Sequence, residues 1–206
     1  MKAFTPLPRG FYEPSASVVA PRLLGHWLVR STPLGPCGGP IVETEAYLID
    51  DPACHAAPGL TPRNRVMFGE PGHAYVYLIY GLHYCVNAVC RPAGTAEAIL
   101  IRAVEATLGP HLLHGRRSVS RSEHLTNGPA KLCEAMAINR SLDGADLCSV
   151  RSPLFIARNK SLVKFRRERG PVIVTTRVGI TRAAELPLRF YLDRSPFVSK
   201  RAAQYS

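Results

Sequence analysis

The chain has 206 residues, of which 46% are hydrophobic; that suffices to bury one full core, so a single domain over 1–206 is expected. Twenty-six Lys and Arg against fifteen Asp and Glu leave a formal charge of +11 and a pI near 9.8, which favours phosphate-rich or anionic-membrane partners. The cations are mostly Arg, whose planar fork suits phosphate, and this turns the expectation toward nucleic acid. Cys37, Cys54, Cys85, Cys90, Cys133 and Cys148 form no Cys-x-x-Cys pair and no His-spaced set, so neither a zinc site nor an iron–sulfur cluster is expected.

In chain order, Val18, Val19, Leu23, Leu24, Trp27 and Leu28 recur at helical spacing and predict an amphipathic helix over 13–29, with Ser15 or Ser17 as cap. A Pro- and Gly-rich turn is expected at 33–40. Ile41 to Leu48 then alternates as a strand, placing Glu43, Glu45 and Tyr47 on one face if the strand is regular. After a loop at 49–72, His73–Tyr80 and His83–Cys90 flank Gly81-Leu82 and predict a hairpin whose tip presents Tyr80 and Leu82. Ala98–Val104 reads as a strand ending near Arg102, and Asn127–Ile138 as a helix with Pro129 in its first turn. Val172–Val178 and Leu188–Leu192 complete the strands, whereas 114–124 and 157–169 read as basic loops or poorly ordered segments. The class is therefore mixed α and β with much antiparallel pairing. Met1–Gly10 has no signal or transit pattern and no run approaches membrane-spanning length, so an intracellular, soluble protein is expected.

The chemistry gathers around Glu45. Cleaving the bond between a base and its sugar passes through an oxocarbenium-like state, which needs a carboxylate to orient water and stabilise charge on the sugar. A lone Glu is unspecific, since most are solvated, but Glu45 has flat neighbours. Glu43 on the same face would stand about 6–7 Å away and raise one carboxyl pKa unless an Arg compensates. Arg102 is the candidate partner, and an ion pair is favoured for Glu43 over a second catalytic acid. Tyr47, His55 and Tyr77 are candidates to stack on an extruded base, a contact worth about 1–3 kcal/mol, although any one strand tyrosine more often packs into the core. Tyr80, at a tip with little core to enter, is a candidate wedge between base pairs.

Several motifs occur together: Val42-Glu43-Thr44-Glu45-Ala46-Tyr47, Asp51-x-Ala53-x-His55, Thr61-Pro62-Arg63-Asn64-Arg65, Tyr75-Val76-Tyr77-x-Ile79-Tyr80-Gly81, Leu100-Ile101-Arg102-Ala103, Gly128-Pro129-Ala130-Lys131 and Pro187-Leu188-Arg189-Phe190-Tyr191. In this order, from about Pro21 to Ser199, they resemble the alkyladenine (3-methyladenine) DNA glycosylase family, monofunctional purine glycosylases of vertebrate type. The resemblance implies an α+β fold: one domain with a curved, mainly antiparallel sheet, surrounding helices and a protruding β-hairpin. It implies that Glu45 deprotonates and positions water, with Arg102 and the Val178 carbonyl helping to hold it. The flipped base would lie between Tyr47 on one face and His55 with Tyr77 on the other, and the His55 backbone amide would contribute a hydrogen bond. Tyr80 would fill the gap in the duplex, and Asn87 would crowd the place of a guanine 2-amino group.

The activity so implied is excision of alkylated purines, chiefly 3-methyladenine, from duplex DNA in base excision repair. No metal and no organic cofactor are expected, and neither is strand nicking, because no lysine stands near Glu45 as a nucleophile. The partner would be duplex DNA carrying a damaged purine, with no membrane, and the protein a monomer located with the DNA (cytoplasm or nucleoid, or a nucleus). Leu82, His83 and Ala56 depart from the Met, Tyr and Ser familiar in vertebrate members, and these positions bear on lesion range rather than on the chemistry. Any phosphate contact by Arg116, Arg117, Arg121, Lys164, Arg166 or Arg167 rests on charge alone. Two rivals remain open on the residues: a non-catalytic nucleic-acid-binding module, which would release no base, and a hydrolase directed at RNA or free nucleosides.

Overall fold

A computed structural model of the chain describes residues 4–202. In order these form α1 (Ala16–Leu23), β1 (Trp27–Thr32), β2 (Gly35–Tyr47), β3 (Ala74–Ile79), β4 (His83–Cys90), β5 (Glu97–Val104), α2 (Pro110–His114), α3 (Pro129–Ala135), β6 (Leu154–Ala157), α4 (Leu162–Arg169), β7 (Val172–Thr175) and β8 (Arg189–Leu192). The eight strands make one sheet in the order β3-β4-β5-β2-β1-β6, with β8 also on β2 and β7 on β8. Every pairing is antiparallel. This is the expected mixed α+β class, with a curved antiparallel sheet, surrounding helices and the hairpin β3–β4.

The first half of β2 pairs with β1, and the second half lies between β5 and β8. Two register shifts mark the β2–β5 ladder, at Ile41/Glu43 and at Glu43/Thr44. The first leaves Val42 as the extra residue and the second leaves Arg102. Such bulges bend the strands and re-aim the side chain they carry.

Alternation along these strands separates two apolar clusters. Val42, Ala46, Val76, Val86, Ile99 and Ile101 join Val19, Ala20 and Leu23 of α1 and Leu132 of α3 in the larger core. Each large apolar side chain buried there stabilises the fold by about 1.5–3 kcal/mol. The opposite face presents Tyr75, Tyr77, Cys85, Ala98 and Leu100, with Met67 and Tyr47 against them, as a smaller cluster. Helices cover the first face, and the second remains for a site.

Several boundaries differ from expectation, each for a physical reason. The first helix ends at Leu23 instead of 29: Gly25 takes φ +87°, and Trp27 and Leu28 enter β1. Its first turn is capped by Glu97, whose carboxylate accepts from the Ala16 N–H at 2.7 Å and the Ser15 hydroxyl at 2.9 Å. The turn expected at 33–40 shrinks to Pro33-Leu34, and Gly35 already belongs to β2. The glycines there serve close packing, because a Cβ on Gly39 would stand 1.6 Å from the Glu105 carbonyl oxygen. Gly39→Ala would therefore force β2 and the end of β5 apart.

The segment 157–169, read as a basic or poorly ordered loop, holds α4. Arg166 gives it an anchor by donating to the carbonyls of Leu24, Pro21 and Arg22 at 2.9, 3.0 and 2.9 Å, capping the C-terminal end of α1. Arg169 adds a two-pronged pair with Glu105 at 2.6 and 3.0 Å. Segment 114–124 holds the end of α2 and a short 3-10 turn, Ser122–His124. Strand β6 was not foreseen, and the strand expected over Val172–Val178 stops at Thr175, leaving Arg177 and Val178 in the following loop.

Candidate active site

A cavity of about 310 Å³ opens on the smaller face of the sheet, bounded by Tyr47, His55, Tyr77, Asn87, Arg102 and Val178, with Tyr80 at its rim. These side chains come from β2, β3, β4 and β5 and from two loops. The volume is that of a small-molecule pocket.

Glu45 is fully buried and lies behind this lining, not in it. Its Oε1 accepts from the Val178 backbone N–H at 2.8 Å and from Arg102 at 3.2 Å, and its Oε2 accepts from the Tyr47 phenol at 3.0 Å. All three partners face the cavity, so the carboxylate is one layer removed from whatever enters. Val178 bonds Glu45 through its N–H, a contact separate from the one to water that the resemblance implied for its carbonyl. Charge-assisted bonds of this kind are about twice as strong as neutral ones. They make the position of the acid well defined.

The ion pair expected for Glu43 forms, and it has a second member. Glu43 Oε1 accepts from Arg102 Nε at 3.0 Å and from Arg189 Nε at 2.6 Å. Arg102 thus bridges Glu43 and Glu45 from its bulge. Burial works against the Arg102 charge, but Glu45 and Glu43 outweigh it and hold the guanidinium pKa above its ordinary value. For Tyr47, burial first and the Glu45 charge second push the phenol upward, so it stays protonated and remains a donor to Oε2.

The aromatic wall opposite is built by alternation on β3. Tyr75 and Tyr77 lie with centroids 5.3 Å apart, and His55 stands edge-on to Tyr77 at 4.4 Å and 64°. His55 Nδ1 is 3.0 Å from the Tyr75 hydroxyl, and the His55 carbonyl accepts from Asn64 Nδ2 at 2.8 Å. Burial and then Arg63 lower the His55 pKa, which leaves a neutral ring at pH 7. Burial pushes Tyr75 up to about 12. Asn87 is buried and tied through Nδ2 to the Tyr75 carbonyl at 3.1 Å, so its amide is held at the floor of the cavity.

At the hairpin tip Tyr80 is 83% exposed and Leu82 78% exposed. Tyr80 takes φ +53° and Gly81 φ +71°, the mirror turn that suits right-twisted hairpins. An L side chain in that region costs about 1–2 kcal/mol, and such strain concentrates where a side chain must be presented.

Asp51 and Arg177 escaped the reading of the residues. Asp51 appeared only inside a motif, and a lone Arg in a loop reads as solvated. The two form a buried pair behind Tyr47, with the Arg177 guanidinium carbon 4.7 Å from the Tyr47 ring centre. Three cations weighed for phosphate contact have structural partners instead: Arg116 donates to the Ala135 carbonyl, Arg117 pairs with Glu134, and Arg166 caps α1. Arg121 pairs with Glu123, and Lys164 stands 4.0 Å from Glu168. All six cysteines are free thiols. Among the described residues, no group of three or more His, Cys, Asp and Glu is placed to hold a metal ion. No helix among the described residues is long and apolar enough to cross a membrane.

Residues 10–196 match the family model described as methylpurine-DNA glycosylase. Similar proteins span nearly the whole chain. One from Methanoculleus marisnigri is 47% identical over 195 residues, covering 95% of this chain and 99% of its own length. Another, from Carboxydothermus hydrogenoformans, is 45% identical over 195 residues with the same coverage. A third, from Rubrobacter xylanophilus, is 48% identical over 168 residues, covering 82% of this chain and 84% of the relative. Each carries the name "Putative 3-methyladenine DNA glycosylase".

Proposed function

From the premise that the chain belongs to the methylpurine-DNA glycosylase family, and so is a DNA glycosylase of DNA repair, we propose how its residues excise a base. The substrate is duplex DNA with an alkylated purine, chiefly 3-methyladenine, and the protein acts on it as a monomer built on one glycosylase domain. The damaged nucleotide turns out of the helix, and its base enters the cavity between Tyr47 on one side and His55 with Tyr77 on the other. Tyr80 takes the vacated place in the duplex. Paying unstacking energy is least costly at a damaged base, which is one source of selectivity. Asn87, lining the same cavity, would crowd a guanine 2-amino group.

Water then attacks the sugar carbon C1′. Its proton passes to Glu45, the C1′–N bond breaks, and the bonding electrons leave with the purine. An N3- or N7-alkylated purine already carries positive charge and departs neutral, so one carboxylate suffices. Each carboxylate oxygen has two lone pairs; Arg102 and Val178 hold Oε1, whereas Oε2 accepts only from Tyr47, and its second lone pair would take the water.

The observation that carries this reading is that the Tyr47, Arg102 and Val178 groups gripping Glu45 are themselves lining a ring-walled cavity. Glu45→Gln tests it. An amide preserves the shape and can still accept from Val178, but it cannot take the proton, so base release from a methylated duplex should fall by at least about 10²–10⁴-fold. Binding should remain measurable. Unchanged turnover in the variant would end the mechanism, and a parent protein that binds DNA steeply with salt yet frees no base would make it a binding module.

A further inference from the structure

The buried Asp51–Arg177 pair serves none of the steps above, yet it adjoins three parts of the cavity lining: the Tyr47 ring, the turn before His55 and Val178. Both guanidinium nitrogens Nη1 and Nη2 engage the Asp51 carboxylate, the latter at 3.1 Å. Nη1 also donates to the Ala46 carbonyl at 3.1 Å, and Nη2 to the Ala183 carbonyl at 3.2 Å. The guanidinium lies 4.7 Å from the centre of the Tyr47 ring, and because Arg177 does not line the cavity it backs the ring from behind. Asp51 in turn accepts from the Ala53 N–H at 2.9 Å, shaping the turn that delivers His55. The residue after Arg177 is Val178, whose N–H holds Glu45.

A buried ion pair is weak support for stability, since an apolar pair of similar volume is often as stable or more so. What it supplies is geometry: a planar fork with fixed directions. We propose that Arg177, oriented by Asp51, is a positioning residue for base excision, fixing the Tyr47 ring, the His55 turn and the Val178 amide in one register. This rests on the base-excision reading above. The stacking platform and the acid are set by one guanidinium that never meets the substrate.

Two variants test it. Asp51→Asn with Arg177→Met removes both charges together and leaves no unpaired buried ion. Arg177→Lys keeps the charge opposite Asp51 but cannot supply the fork, and it decides the question if the double variant does not fold. Two quantities are read: single-turnover excision at saturating enzyme from a duplex methylated to carry 3-methyladenine, and affinity for a duplex with a tetrahydrofuran abasic analogue, which offers no base to Tyr47. A misplacement of about 1 Å can cost about 100-fold, so excision should fall between about 10- and 100-fold while abasic affinity stays within about twofold. Excision within about twofold of the parent would overturn the proposal. Equal losses in excision and abasic affinity would overturn it too, by assigning the pair to the fold alone. A parent that excises nothing would refute the base-excision reading, which separates that failure from this one.

Discussion

Replacing Tyr80 by Asn should separate what the hairpin tip costs from what it does. Tyr80 is 83% exposed, so its ring contributes little burial to the fold, while its φ of +53° places an L side chain where it is disfavoured. That conformation costs about 1–2 kcal/mol, and Asn tolerates it better through its short polar side chain. The variant should gain up to about 1 kcal/mol of stability, a rise of about 2–4 °C in Tm for a domain of this size. Catalysis should move the other way. A ring replacing lost stacking is worth about 1–3 kcal/mol, so the excision rate from duplex DNA should fall by about 5- to 150-fold. Urea melts and single-turnover excision with enzyme in excess measure the two effects. With a single-stranded substrate there is no gap in a duplex to fill, and the deficit should shrink. A variant that excises from duplex at the parent rate would refute the wedge, and one that loses stability would show that the ring packs against the fold after all.

What could be read from the residues was whatever a period of two controls. The alternation Glu43, Glu45, Tyr47 on β2 and Tyr75, Tyr77 on β3 places these side chains on the face opposite Val42, Ala46 and Val76, and the cavity lies on that face. The hairpin was legible for the same reason, because Gly81 punctuates two β-prone runs. What escaped depended on contacts between distant segments. Gly38 and Gly39 look like a turn until the backbones of Leu28 and Glu105 are seen pressing on them. The basic run at 162–169 looks solvated until Arg166 is found on carbonyls more than 140 positions earlier. Arg177 meets Asp51 across 126 positions, and no local pattern announces that pairing. Even Glu45, identifiable by its motif, did not reveal that it would be buried behind Tyr47; that depth follows from the loop at Val178 closing over the end of β2.

The charged layer under the cavity and the far end of the sheet make two further predictions. Glu43→Ala would strand Arg102 and Arg189 beside each other without their shared carboxylate, so the unfolding free energy in urea should drop by about 3–5 kcal/mol; a loss within about 0.5 kcal/mol would show that the two guanidiniums find other partners. His26, buried before β1, has its pKa lowered to about 4 by burial first and then by Arg166 and Arg158, and its Nδ1 accepts from the Asn159 N–H at 3.2 Å, a bond that protonation destroys. An unfolded chain takes up that proton near pH 6.5 and the folded one only near 4, so stability is full above about pH 6.5 and falls as pH drops toward 4, by about 3 kcal/mol at about 1.4 kcal/mol per unit. His26→Gln keeps an acceptor for Asn159 but carries no titrating group, and its melts between pH 7 and 4 should lose that part of the slope; an acid limb as steep as the parent's would place the pH sensitivity elsewhere.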